Sequence, residues 1–276
     1  MVIRRTKGES EMAVKRILRN GLILLLVAVA LLAMPYHSAV QTNAVDLNVT
    51  LPINCDSPSV ELELKQTAAV QPESHYIEMD NIQQLPELPA GCEVTSLAIV
   101  LNYLDYSVSK TRLADNYLPC SDDFYMGSDG ELYGPNQNDV FVGDPHSNQY
   151  GCYAPVIVRT ANSYLEECGS EYTASEISGE NPEELYRYVL DGIPVIVWAT
   201  IRMQEIPSYI EWFDFKTGEK LRVPNRQHCL VLVGVEGEML TFNDPYDPRG
   251  IVQYPKSLFE KRYNAVGKQA VVLTAS

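Results

Sequence analysis

The sequence predicts an α+β domain whose N-terminal helices pack on a mostly antiparallel sheet. Two observations carry this. Between Cys92 and Gly192 the apolar residues recur at helical spacing. After Gly192 they fall into short, strand-like runs linked by tight turns. With 276 residues, 46% of them hydrophobic and 21% charged, the chain can bury a substantial core.

Two segments precede that domain. Residues 1–40 combine a basic stretch ending at Arg19 with an uncharged apolar run from Gly21 to Met34. The run is shorter than the roughly 20 residues of a comfortable membrane span and matches a signal-peptide core. "YHSAVQ" offers no clean small-x-small cleavage site, because a cut after Ala39 would leave His37 at the −3 position. The segment is therefore expected to direct export, as a single retained membrane anchor or as a cleaved signal, with the rest of the chain outside. Residues 41–75, rich in Asn, Ser, Thr, Pro and Gln, read as a linker or stalk in which "SVELELKQ" could form a short strand. The folded domain is expected over residues 76–276.

Within it, Val94, Leu97, Ala98, Leu101 and Leu104 recur at helical spacing and predict an amphipathic helix starting at Cys92 behind Pro89 and Gly91. A short helix is expected from Lys110 to Tyr117. The polar stretch Ser121–Gly151 reads as one long functional or lid-like loop. "PVIVRTANSYLEECG" predicts a helix with Pro155 in its first turn. "NPEELYRYVLDG" predicts another, with Asn181 as N-cap and Gly192 as stop. "IPVIVWATI" and "HCLVLVGV" are strands, and "EMLTFNDP" pairs back on the second through a turn at Glu236 and Gly237. "GIVQYP", a helix near Lys256–Tyr263 and the strand "QAVVLTA" close the chain.

The formal net charge of −15 is unevenly spread. Residues 1–40 hold six Lys/Arg against two acids, which leaves 21 − 6 = 15 basic and 36 − 2 = 34 acidic residues beyond them. So acidic a body repels phosphate backbones, and no nucleic acid is expected as partner. The acids of the polar loop (Asp122, Asp123, Asp129, Glu131, Asp139, Asp144) lack the spacing of a calcium site, and no cofactor or metal is expected. Oligomeric state is not legible.

Six cysteines occur, at 55, 92, 120, 152, 168 and 229, with no CxxC pair. Outside the cytoplasm some could pair. A Cys120–Cys152 bridge would contribute about 3–4 kcal/mol by loop closure, and the sequence leaves it open. Cys92 stands out. At a helix start, free N–H groups and the dipole favour a thiolate. Such a nucleophile needs an imidazole, and of four histidines only His228 begins a core strand; His37, His75 and His146 lie in the export segment, linker and polar loop. Asp244 in "FNDP" ends the strand paired with that of His228, where a carboxylate can fix the imidazole tautomer. Gln84, just upstream of Cys92, can help to bind an oxyanion. Each residue also has a plain reading: a buried small hydrophobe, a strand-start histidine, a turn aspartate, a loop amide.

"NIQQLPELPAGCEVTSLAIVLNYL", "GDPHSNQYGCYAPVIVRTANSYL", "GIPVIVWATI" and "HCLVLVGV…FNDP" resemble the bacterial peptidase C39-like family of the papain-like cysteine peptidase clan, from about Tyr76 to the C-terminus. The resemblance implies a papain-like fold with Cys92 as nucleophile, His228 as base, Asp244 as orienting residue and Gln84 at the oxyanion hole. It implies a peptide or amide substrate. No GxxxxGK[ST] sequence is present, so the transporter-linked leader processing of true C39 peptidases does not carry over. Three functions stay open: hydrolysis through an acyl-enzyme, acyl transfer by the same residues, and a non-catalytic binding domain at the cell surface.

Overall fold

The structure, a computed structural model, describes residues 74–275. The segment expected to direct export, residues 1–40, and most of the expected linker lie outside these residues. Among those described, no helix is long and apolar enough to cross a membrane.

In chain order the first half comprises β1 (Ser74–Tyr76), α1 (Cys92–Tyr103), α2 (Lys110–Asn116), β2 (Cys120–Ser121), β3 (Tyr125–Met126), β4 (Leu132–Gly134), β5 (Phe141–Val142), α3 (Ala154–Glu167) and β6 (Tyr172–Glu176). The second half comprises α4 (Pro182–Leu190), β7 (Val195–Thr200), β8 (Tyr209–Asp214), β9 (Lys220–Pro224), β10 (Gln227–Glu236), β11 (Met239–Asn243), β12 (Ile251–Pro255), α5 (Lys256–Ala265) and β13 (Ala270–Ala275).

The main sheet runs β12-β11-β10-β7-β13-β6, with β1 added along the end of β10, and every pairing is antiparallel. Its two central strands, β7 and β10, are the near-continuous apolar runs of the sequence, and nearly all their residues are buried. The β10–β11 turn sets Glu236 opposite Met239, which fixes the register that carries His228 and Asp244 to one end of the hairpin. The α+β class expected from the sequence is the class found, but the order is not helices first: five short strands, β2–β6, interleave with the helices before Gly192.

Helix α1 departs from the expected amphipathic pattern, because every residue from Cys92 to Leu101 is buried. It packs on β10 while α2 and α3 close its outer side, so this stretch has no face left for water and only Asn102 and Tyr103 at the helix end are exposed. Each large apolar side chain so buried contributes roughly 1.5–3 kcal/mol. The polar residues inside are satisfied locally: Thr95 Oγ1 donates to the Gly91 carbonyl (2.7 Å) and Ser96 Oγ to the Cys229 carbonyl (3.2 Å). Asn181 occupies the N-cap position of α4, as expected, but its side chain makes no capping hydrogen bond.

The polar stretch 121–151 is not one long loop. Its β3 and β4 join β8 and β9 in a second, four-stranded sheet of order β3-β4-β8-β9, and β2 pairs with β5. Trp212 and Val223 of this sheet form a small core of their own with Val142 of β5, with Phe124 edge-on and Tyr150 tilted against the indole. The Trp212 indole N–H donates to the Pro135 carbonyl (2.9 Å). The stretch looks structureless in sequence because its apolar partners come from β8 and β9, far along the chain.

Candidate active site

The segment before α1 is shaped to place a residue at the helix start. Leu88 N–H donates to the Gln84 carbonyl (2.9 Å) and Gly91 N–H to the Leu88 carbonyl (3.0 Å). A side chain at Gly91 would sit 2.6 Å from Leu88 Cβ, so only glycine permits that fold-back. Lys110 clamps the segment from α2, donating to the carbonyls of Gln83 and Gln84 and pairing with Glu87 (2.8 Å). Cys92 follows as the first residue of α1.

Facing it from the sheet, His228 at the start of β10 and Asp244 just past β11 are joined by an Nε2···Oδ1 contact of 2.7 Å, both side chains 3% exposed. The same carboxylate oxygen accepts the N–H groups of Tyr246 (2.8 Å) and Asp247 (3.1 Å). Burial alone would raise the Asp244 carboxyl. The charge and hydrogen bond of His228, with the two backbone N–H groups, outweigh it and hold the carboxyl below the ordinary value. Asn81 braces this turn by donating to the Asp244 carbonyl (3.0 Å) and to Asn243 Oδ1 (2.6 Å). With Nε2 engaged, Nδ1 is the ring nitrogen left for chemistry.

The surroundings of Cys92 work against the ionised thiol that a helix start favours. Its Sγ–H donates to Glu93 Oε2 (3.3 Å), and Sγ accepts the Cys229 N–H (3.4 Å); no hydrogen bond joins it to His228. Burial first, then the nearby Glu93 charge, push the thiol well above its ordinary pKa. The helix start is thus outweighed by desolvation and by a carboxyl that sequence reasoning passed over. Glu93 is 1% exposed, and its other oxygen accepts the Cys152 N–H (3.0 Å).

Gln84 is buried beside the same cleft. Its amide nitrogen donates to the carbonyls of Leu88 (3.2 Å) and Pro89 (2.9 Å), while its oxygen has no partner. Both N–H bonds therefore point back into the turn rather than toward a substrate. Gln84, Cys92, Glu93 and His228 share the wall of a cleft of about 560 Å³, whose far side is built from Tyr150, Ile210 and Val223 of the second sheet and its approach. Of the four predicted residues, Gln84, Cys92 and His228 thus line one cleft, and Asp244 lies behind His228 without lining it.

Residues 76–271 match the Peptidase_C39 like family. The chain belongs to that family. It is similar to the "Uncharacterized protein YvpB" of Bacillus subtilis (strain 168), 31% identical over 213 residues, covering 76% of this chain and 78% of that protein. It is also similar to a crystal structure from Bacillus anthracis described as a C39-like peptidase. That structure is 29% identical, with a TM-score of 0.65, and the match covers 74% of this chain and 99% of the other. The papain-like α+β arrangement expected from the motifs is the fold observed.

Other candidate residues of this C39-like chain fall away from the cleft or stay apart. Cys120 and Cys152 are both free: Cys120 is exposed, whereas Cys152 is drawn into the core, where the Trp198 indole donates to its carbonyl (2.9 Å). His146 pairs on the surface with Asp115 (2.7 Å). The acids of the polar stretch serve turns and surface pairs, such as Asp129 accepting from Glu131 N–H and Asp139 pairing with Lys216. The sequence reading also missed the β8–β9 hairpin that walls the cleft. Its signal was present in "YIEWFDF" and "KLRVP" flanking "KTGE".

Proposed function

We propose that this C39-like chain is a thiol hydrolase that cleaves a peptide or amide bond through a Cys92 acyl-enzyme. The observation that carries this reading is the buried His228–Asp244 pair, whose His228 lines the same cleft as Cys92 at the start of α1. The Cys92 proton passes to His228 Nδ1, giving a thiolate and an imidazolium that Asp244 stabilises through Nε2–H. The thiolate attacks the carbonyl carbon, and the oxyanion is received by first-turn N–H groups of α1, which have no intrahelical partner. Gln84 joins them once its amide leaves the carbonyls of Leu88 and Pro89. His228 then protonates the leaving amine, and water, deprotonated by the same ring, releases the acid and restores the thiol. The basic-then-apolar N-terminus supports action outside the cell, as an anchored or secreted enzyme.

The test is labelling of the full-length chain with peptidyl fluoromethyl ketones, mapped by mass spectrometry, beside a peptide-library cleavage screen. Labelling concentrated at Cys92 and abolished by His228→Ala, with cleavage by the wild type alone, is the expected result. Label spread over the exposed Cys120 and Cys168 with no cleavage would end the hydrolase reading and favour a binding domain.

A further inference from the structure

Glu93 has no part in the acyl-transfer steps above, yet it is the group that holds the nucleophile. Its carboxyl bridges the thiol of Cys92 on one oxygen and the N–H of Cys152 on the other. The approach is so close that a side chain at Gly151 would lie 2.3 Å from Glu93 Oε1. Gly151 itself lines the cleft, and the Cys152 carbonyl is fixed by Trp198 from β7. A single buried carboxyl therefore ties the rim of the substrate cleft to the thiol at its floor.

We propose that Glu93 is a positioning residue that keeps the resting Cys92 thiol protonated and directed away from His228, so that the nucleophile is latent until this hydrogen bond is given up. This rests on the hydrolase reading for its purpose, though not for its geometry. On activation the Sγ–H proton leaves the Glu93 bond and moves to His228 Nδ1. An N–H bond forms as the S–H bond breaks, and the thiolate–imidazolium pair has the same net charge as the thiol and imidazole it replaces. The carboxyl remains bound to Cys152 N–H throughout. The groups that face this pair are Cys152 and Tyr153 from the approach to α3, and His228 and Cys229 from β10, with Asp244 behind His228. Burial lifts the Glu93 carboxyl above the ordinary range, against its own N–H, the Cys152 N–H, the Cys92 thiol and His228, which pull it down.

The experiment follows alkylation of Cys92 by iodoacetamide against pH in the full-length chain, with thermal unfolding alongside. Glu93→Gln keeps an acceptor for Cys152 N–H and removes the charge beside sulfur. It should displace the Cys92 profile downward by about one pH unit, so that alkylation at pH 7 is about tenfold faster. Glu93→Asp, too short to reach both partners, should shift the profile in the same direction and serves if Glu93→Gln does not fold. An unchanged or upward-shifted profile in a folded variant overturns the proposal. Adding His228→Ala separates the two readings. Loss of the rapid alkylation in the double variant supports transfer of the proton to His228. A faster Glu93→Gln profile indifferent to His228→Ala keeps the latch but removes the hydrolase reading, and with it the proposed hand-over.

Discussion

Removing the Asp244 carboxylate should separate the orienting role of this residue from its structural one. Three hydrogen bonds converge on one oxygen, from His228 Nε2 at 2.7 Å and from the N–H groups of Tyr246 and Asp247 at 2.8 and 3.1 Å. Asp244→Ala strands the His228 and Asp247 donors, both of which are buried, whereas Tyr246 is half-buried and can recruit water. At about 1–3 kcal/mol for each of the two stranded donors, the loss of stability should be about 2–6 kcal/mol. The free ring also loses its tautomer and orientation, a cost of about 3–4 kcal/mol in thiol activation, or roughly 10²–10³ in rate. Asp244→Asn keeps an acceptor oxygen but no charge and should lose only about tenfold. Urea unfolding measures the first quantity, and the rate of Cys92 inactivation by a peptidyl fluoromethyl ketone the second. The pH dependence has a definite sign. Asp244 is held below the ordinary carboxylate value, so its contribution is complete above the unfolded value of about 3.9 and is lost as pH falls through the lower folded one. Asp244→Asn should therefore flatten the acid limb of the stability curve. An Asp244→Ala protein that unfolds earlier but inactivates at the wild-type rate would refute the orienting role.

Gly151→Ala forces a side chain to 2.3 Å from Glu93 Oε1 at a φ of +82°, and should cost about 1–3 kcal/mol in thermal and urea unfolding. Trp198→Phe leaves the Cys152 carbonyl buried without its donor, with an expected loss of about 1–3 kcal/mol by the same measurement. Asp247 is pulled down to about 2 by the Arg249 side chain, helped by the Arg249 N–H and Arg202 and opposed by burial. Its stabilisation is present above about pH 4 and disappears toward the folded value. Asp247→Asn should accordingly remove about 1–2 kcal/mol at neutral pH, discounted for the exposed Arg249 partner, and little near pH 2, as read by urea unfolding at the two pH values.

Much of this protein was written in local pattern. The helical spacing after Cys92, Pro182 opening α4, the unbroken apolar runs of β7 and β10 and the tight turn at Gly237 each act over a few residues, and each produced the element it predicts. The hairpin geometry also made His228 and Asp244 neighbours in sequence terms, because a two-strand register is set by its turn. What could not be read was whatever depends on segments remote in the chain. The stretch 121–151 becomes sheet only because β8 and β9 supply Trp212 and Val223. Helix α1 is buried all round from Cys92 to Leu101 only because α2 and α3 cover it. The surroundings of Cys92 were decided the same way. Sequence placed the thiol at a helix start, which favours the anion. The folded chain then enclosed it beside Glu93, Cys229 and Cys152, where desolvation and a neighbouring carboxyl outweigh a few free N–H groups. Local spacing determines which residues meet; the dielectric and the partners around them exist only once the chain has closed.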